Sequence, residues 1–240
     1  KNFCTKLLVF DKDVLPQINY FSFFHCLDKV RLEGISKIRK QNLENQKKLK
    51  EEREAAINHI KNQVSSWEYL ACGLHYTYLV KYFPVSCDFK LTKKEWNDRK
   101  LIWNFKNDPD KIDPESHKGA LDKIVPLIND KLCDSFGENN LKHLTLVCIP
   151  ASSEEKNKHR YKKFSEKLCS CTGMSNAYDK ISIKQDREAK HLGGSISGTI
   201  LDNLEFDMDF FKGRHVLILD DIITKGDSMI LFKQKLESLG

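Results

Sequence analysis

The rhythm of hydrophobic and polar positions changes three times along this chain. Residues 1–26 are apolar and aromatic, with Leu7, Leu8, Val9, Phe10, Phe21, Phe23 and Phe24, and Pro16 breaks the run. Between Leu27 and Val64 there is no proline and a single glycine, and Lys, Glu, Gln and Asn dominate, which predicts one long helix. Its apolar positions, among them Val30, Ile35, Ile38, Leu43, Leu49, Ile57 and Ile60, drift too far for a heptad seam, so a solvated strut or packed arm is expected rather than a coiled coil. Residues 67–105 carry short aromatic runs ending in Leu101-Ile-Trp103-Asn-Phe105, expected as strands or strand-like cover beside the core. Within them Thr92-Lys-Lys-Glu95 reads as a capping box opening a helix through Arg99. A loop rich in Asp and Pro at 107–114 precedes a helix from Pro114 to Phe136 that contains Pro126 and that Gly137 can end.

From residue 144 the pattern alternates between strand and helix. Leu144-Thr-Leu-Val-Cys-Ile149 suits a buried parallel strand stopped by Pro150, and a helix is expected from Asn157 to Thr172, ended by Gly173. A second strand is expected over residues 177–183, then a polar, glycine-containing excursion from Lys184 to Ser197. A third strand at Val216-Leu-Ile-Leu219 leads to a last helix from Ser228 to Leu239. The expected fold is therefore α/β, a doubly wound parallel sheet with a long N-terminal helix and an aromatic-rich hood. Residues 1–66 form the N-terminal segment; residues 67–240 form the main domain, with cover and helix to 143 and the core from 144.

Composition changes this picture little. Net charge is +6 and is spread over Lys-rich helices, which permits anionic ligands without demanding nucleic acid. The basic stretch from Arg39 to Lys50 is interleaved with Glu44 and followed by Glu51, as on an ordinary exposed face. No apolar run approaches a membrane span and no signal-peptide pattern is present, so the expectation is a cytoplasmic protein with no membrane partner. Eight cysteines lack repeated CxxC spacing and suit reduced thiols. Cys72, His75 and Cys87 could supply three ligands of a zinc site, with the fourth unnamed.

The chemistry concentrates at Val216–Ser228. Four apolar residues precede two carboxylates, Asp220 and Asp221, and a turn of Thr224, Lys225, Gly226, Asp227 and Ser228 opens the last helix. Amide groups left unpaired at a helix start attract an anion, and the hydroxyls of Thr224 and Ser228 can add donors. Carboxylates at the C-terminal end of such a strand are good acceptors for vicinal sugar hydroxyls. A phosphorylated sugar satisfies both halves.

This string resembles the 5-phosphoribosyl-1-pyrophosphate (PRPP) signature of the type I phosphoribosyltransferases: a hydrophobic run, an acidic pair, two apolar residues, Thr, Gly and a terminal Ser. The resemblance covers roughly residues 144–240. It implies that Asp220 and Asp221 hold the ribose 2- and 3-hydroxyls, that residues 224–228 wrap the 5-phosphate, and that Ala151, Ser152 and Ser153 hold pyrophosphate, with Lys156, Lys158 and Arg160 close behind. It also implies that the excursion is a loop closing over the reaction centre, where Arg187, Lys190 and His191 are the candidates to contact the leaving group. Two positions depart from the pattern: Lys225 stands where a small hydroxyl residue is common, and Asp227 brings negative charge to the phosphate. Thr224 replaces the Asp usual in purine-salvage members, which disfavours hypoxanthine or guanine. Within the superfamily the chain looks most like the ComF-like branch, through Arg99-Lys-Leu-Ile-Trp-Asn-Phe-Lys106. It lacks that branch's Cys-rich finger and has Arg160-Tyr-Lys-Lys-Phe164 in place of its Arg-Gly-Phe-Asn-Gln segment. The resemblance further implies another strand after Gly240, so either the core is cut there or the sheet is completed otherwise.

The expected activity is Mg²⁺-dependent transfer of phosphoribose to an unidentified nitrogen nucleophile with release of pyrophosphate. Mg²⁺ would be carried on PRPP oxygens rather than in a protein cage. Two other classes stay open: a module that binds PRPP or a nucleotide and reports it, and a ComF-like accessory protein of nucleic acid. A homodimer is compatible with each.

Overall fold

The computed structural model describes residues 20–108, 110–184 and 201–240, with side chains from residue 26 onward. It divides into two compact units, residues 1–52 and 53–240. Helix α1, Tyr20–Val64, passes from one to the other. In the first unit its apolar side chains Leu32, Ile38, Leu43 and Leu49 are exposed, so this stretch is a solvated helix held by local propensity and by i,i+4 pairs such as Lys47–Glu51. In the second unit Ala56, Ile57 and Ile60 are buried, and the last two join the main core.

The second unit is mixed α/β around a small parallel sheet. Its elements are β1 (Glu68–Ala71), β2 (Leu74–Tyr76), α2 (Lys93–Lys106), α3 (Pro114–Phe136), α4 (Glu138–Leu141), β3 (Leu144–Cys148), α5 (Glu154–Asn157), one π-type turn (Lys158–Lys162), α6 (Lys163–Thr172), β4 (Ser175–Asn176), β5 (Ile181–Ile183), β6 (Leu204–Phe206), α7 (Met208–Phe211), β7 (His215–Leu219) and α8 (Asp227–Glu237). The parallel sheet has the order β4-β3-β7, with β3 in the middle and Cys148 opposite Leu219. Alternation along β3 splits the core: Leu144 and Leu146 join one cluster, with α3 and α6, while Val147 and Ile149 join another, with α8. Burial on both faces explains why β3 reads as an unbroken apolar run.

Several expected elements differ. Leu101–Phe105, expected as a strand or strand-like cover, lies in the second half of α2. The capping box is formed, with Thr92 Oγ1 accepting from Glu95 N–H and Glu95 accepting from Thr92 N–H, and the helix it opens runs on to Lys106. Despite the aromatic content of this stretch, Trp96 and Trp103, one heptad apart, lie on one helical face with ring centroids 5.8 Å apart. Of the aromatic runs before it, only residues 68–71 and 74–76 form strands, as an antiparallel hairpin. Of the strand expected at 177–183 only Ile181–Ile183 is strand, antiparallel with β6; a 3₁₀ turn fills Tyr178–Lys180, and the parallel partner of β3 is Ser175–Asn176, just before the expected range. The helix expected from Asn157 begins at Glu154 and contains the π-type turn. Helix α3 continues through Pro126, and Gly137, at φ 81°, ends it.

Candidate functional site

Residues 220 and 221 follow β7 directly, and Ile149 N–H donates to Leu219 C=O, so the loops after β3 and β7 leave the same end of the sheet side by side. The chain goes from β3 to β4 on one side and later to β7 on the other. Ligands of open α/β sheets gather at the crevice where strand order reverses in this way.

The two carboxylates of the pair have different surroundings. Asp220 accepts a hydrogen bond from Asp221 N–H at 2.8 Å, and its pKa is pushed up to about 6, first by burial and then by the neighbouring Asp221 charge. Asp221, whose side chain is 8% exposed, accepts from Arg160 Nη1 at 2.5 Å and lies 3.6 Å from Lys106 Nζ. Both cations come from segments joined to each other. Arg160 Nε donates to Lys106 C=O, and Asn107 Nδ2 donates to His159 C=O at 3.0 Å. Asn107 ends α2 in the left-handed region, at φ 49°, a conformation asparagine tolerates. The π-type turn holds Arg160 and Tyr161, and such turns redirect side chains relative to a regular helix. Tyr161 is buried, packs edge-on to Phe105, and has a hydroxyl without a partner among the described residues; burial and the nearby acidic pair raise its pKa well above the usual range.

The loop after the pair is built as a helix start. Gly226 is the N-cap of α8, at φ 81°, and no side chain caps the first turn, which leaves the amides of Asp227, Ser228 and Met229 for a guest anion. The left-handed backbone favours glycine at 226, and a Cβ there would meet Leu70 Cδ2 at 2.4 Å and displace that side chain. Thr224, Lys225 and Asp227 are exposed and Ser228 is half-buried.

The loop after β3 spends part of its hydrogen-bonding capacity on itself. Ala151 N–H donates to the buried Asn157 Oδ1, and Ser153 Oγ accepts from Lys156 N–H as the cap of α5. Ser152, between them, is half-buried. Arg160, grouped by sequence with the cations behind this loop, is instead turned to Asp221. Arg187, Lys190 and His191 lie outside the described residues. Ile183, just before Lys184, pairs with Leu204.

A cavity of about 680 Å³ adjoins the pair, lined among others by Leu70, Tyr76, Tyr78, Leu217, Asp220 and Thr224. Its walls are mostly apolar, and it runs along the outer edge of β7, which among the described residues has a strand neighbour only on the β3 side. Arg99, the first residue of the Arg99–Lys106 segment, is buried and donates to Phe83 C=O and Pro84 C=O, so it anchors the cover rather than a ligand. Cys87 Sγ lies 3.4 Å from Arg99 Nη2 and the His75 ring packs edge-on against Tyr69; among the described residues no group of three or more His, Cys, Asp or Glu side chains could hold a metal. No described helix is long and apolar enough to cross a membrane. Comparison with protein-family models, with curated proteins and with solved structures yields no match, so the functional reading rests on this geometry.

Proposed function

We propose that residues 53–240 form a doubly wound, type I phosphoribosyltransferase-like unit that binds the magnesium complex of PRPP and transfers its phosphoribose to a nitrogen nucleophile. The observation that carries the reading is the meeting of two unlike receptors at one sheet end: a buried carboxylate, Asp220, and the uncapped amides of Asp227–Met229. A sugar hydroxyl suits the first and a phosphate the second. In the reaction the C1–oxygen bond to pyrophosphate breaks, the C1–nitrogen bond forms, and the acceptor nitrogen gives up a proton. Positive charge developing on the ribose is stabilised by Asp220, while the backbone at 151–153 faces the departing pyrophosphate. The apolar cavity beside Thr224 receives the acceptor.

One observation favours a second reading, binding without turnover: Asp221 is already held by Arg160 and Lys106. Incubation with PRPP, Mg²⁺ and a panel of bases and amines decides between them. Pyrophosphate release that depends on one acceptor is the expected result. Calorimetric PRPP binding with no release under any acceptor establishes the sensing module instead, and absence of binding with and without Mg²⁺ removes both.

A further inference from the structure

The two carboxylates of the acidic pair do not face a ligand on equal terms, because a basic turn far away in sequence closes on one of them. Asp221 Oδ2 accepts from Arg160 Nη1 and its Oδ1 lies near Lys106 Nζ. Arg160 is 18% exposed, and its own Nε is tied to the Lys106 carbonyl, so the guanidinium bridges α2, the π-type turn and the strand end. A fork with both arms engaged is a fixed charge rather than a swinging one.

We infer that Arg160 is a positioning residue that assigns the two carboxylates separate tasks: Asp221 serves as the anchor of an Arg160–Lys106 clamp, and Asp220 is the carboxylate that receives a hydroxyl of an anionic sugar ligand. This deepens the PRPP reading and rests on it for the identity of the ligand. The physical reason lies in the charge balance. Two bare carboxylates at the mouth of a phosphate site would repel a polyanion, whereas Arg160 and Lys106 cancel the pair's charge when both acids are ionised. With its charge cancelled by the clamp, the site retains one acceptor for a diol while admitting the phosphates.

The clamp also sets when Asp220 is charged. Among the described residues the groups facing Asp220 are Asp221 on its own loop, Arg160 and Tyr161 on the π-type turn, Lys106 on α2 and Cys148 on β3. Burial keeps the Tyr161 hydroxyl and the Cys148 thiol protonated, so they add no charge near neutral pH. Arg160 and Lys106 pull the Asp220 pKa down against burial and against Asp221.

The test is a titration of the unliganded protein, with the Asp220 carboxyl followed by carbon-detected NMR in wild type, Arg160→Gln and Arg160→Lys. Expected is a midpoint that rises by roughly half a unit or more in Arg160→Gln and returns towards wild type in Arg160→Lys. A midpoint unmoved by Arg160→Gln overturns the proposal, and so does a shift that Lys fails to reverse. Should Arg160→Gln not fold, the Lys106→Gln variant is expected to raise the midpoint by less, and a fall there overturns the proposal equally. PRPP–Mg²⁺ calorimetry across the same pH range forms a separate arm. Affinity should switch on at the Asp220 midpoint and follow it in the variants, and an affinity that ignores the midpoint defeats the task assigned to Asp220. If PRPP does not bind at all, the ligand reading fails while the titration still judges the clamp.

Discussion

At the scale of single residues, Asp220 and Gly226 carry the most consequence. In the proposed function Asp220 accepts a sugar hydroxyl, and a hydrogen bond to a charged acceptor contributes about 1.5–3 kcal/mol. Asp220→Asn is therefore expected to weaken PRPP binding by roughly 10- to 100-fold above pH 7, measured by calorimetry. Unchanged affinity would remove the ribose contact. Gly226 stands at φ 81° with Leu70 where a Cβ would go. Gly226→Ala is expected to lower stability by about 1–3 kcal/mol in denaturant unfolding, from left-handed strain together with displacement of Leu70. A Leu70→Ala background should recover the part that is steric, and no recovery would show the cost to be backbone strain alone.

Among elements, the junction between α2 and the π-type turn matters most to the site. Asn107 ends the helix with its N–H on Trp103 C=O and spans to His159 C=O through its side chain. Asn107→Gly preserves the left-handed cap and deletes the cross-link. This variant should keep the thermal midpoint within a few degrees, because the deleted neutral bond contributes only about 1 kcal/mol. Loosening the junction that holds Arg160 should nevertheless raise the Asp220 titration midpoint. A normal Asp220 titration in this variant would show that Arg160 is held by Asp221 and the Lys106 carbonyl alone. At the start of α2 the Thr92 capping box is complete, so Thr92→Ala should cost about 1 kcal/mol in urea unfolding while leaving the Asp220 titration unchanged.

For the molecule as a whole, Asp220 links the site to stability. Its folded pKa of about 6 lies above the ordinary 3.8, so the unfolded chain releases this proton first as pH rises. Its contribution is intact below pH 4 and is lost as pH climbs through 6, with a total cost of about 3 kcal/mol at neutral pH. Exposed acids such as Asp113 and Asp207, held below their usual pKa by hydrogen bonds, act in the opposite sense at lower pH and are common to wild type and variant. Asp220→Asn should accordingly be more stable than wild type at pH 7.5 and equal to it near pH 4 in denaturant unfolding. An advantage that persists at pH 4 would mean that Asp220 is not buried as an acid.

Local pattern by itself determined much of this protein. The strand at 144–148, the strand at 215–219 with its acidic pair and glycine turn, the long helix, the Thr92 capping box and the Gly137 and Gly173 stops all follow from periodicity and from backbone preferences that act within a few residues. Where neighbours compete, local pattern was insufficient. Leu101–Phe105 has the composition of a strand and became helix because Phe105 finds its burial against Tyr161 and Phe164 on one helical face. Only the tertiary structure joined Arg160 and Lys106 to Asp221, since residues 106, 160 and 221 approach one another through packing and no local rule relates them. The acidic pair was legible because its chemistry lies in adjacent residues. The inequality of its two members was not, because charge and burial at one atom are set by everything folded around it.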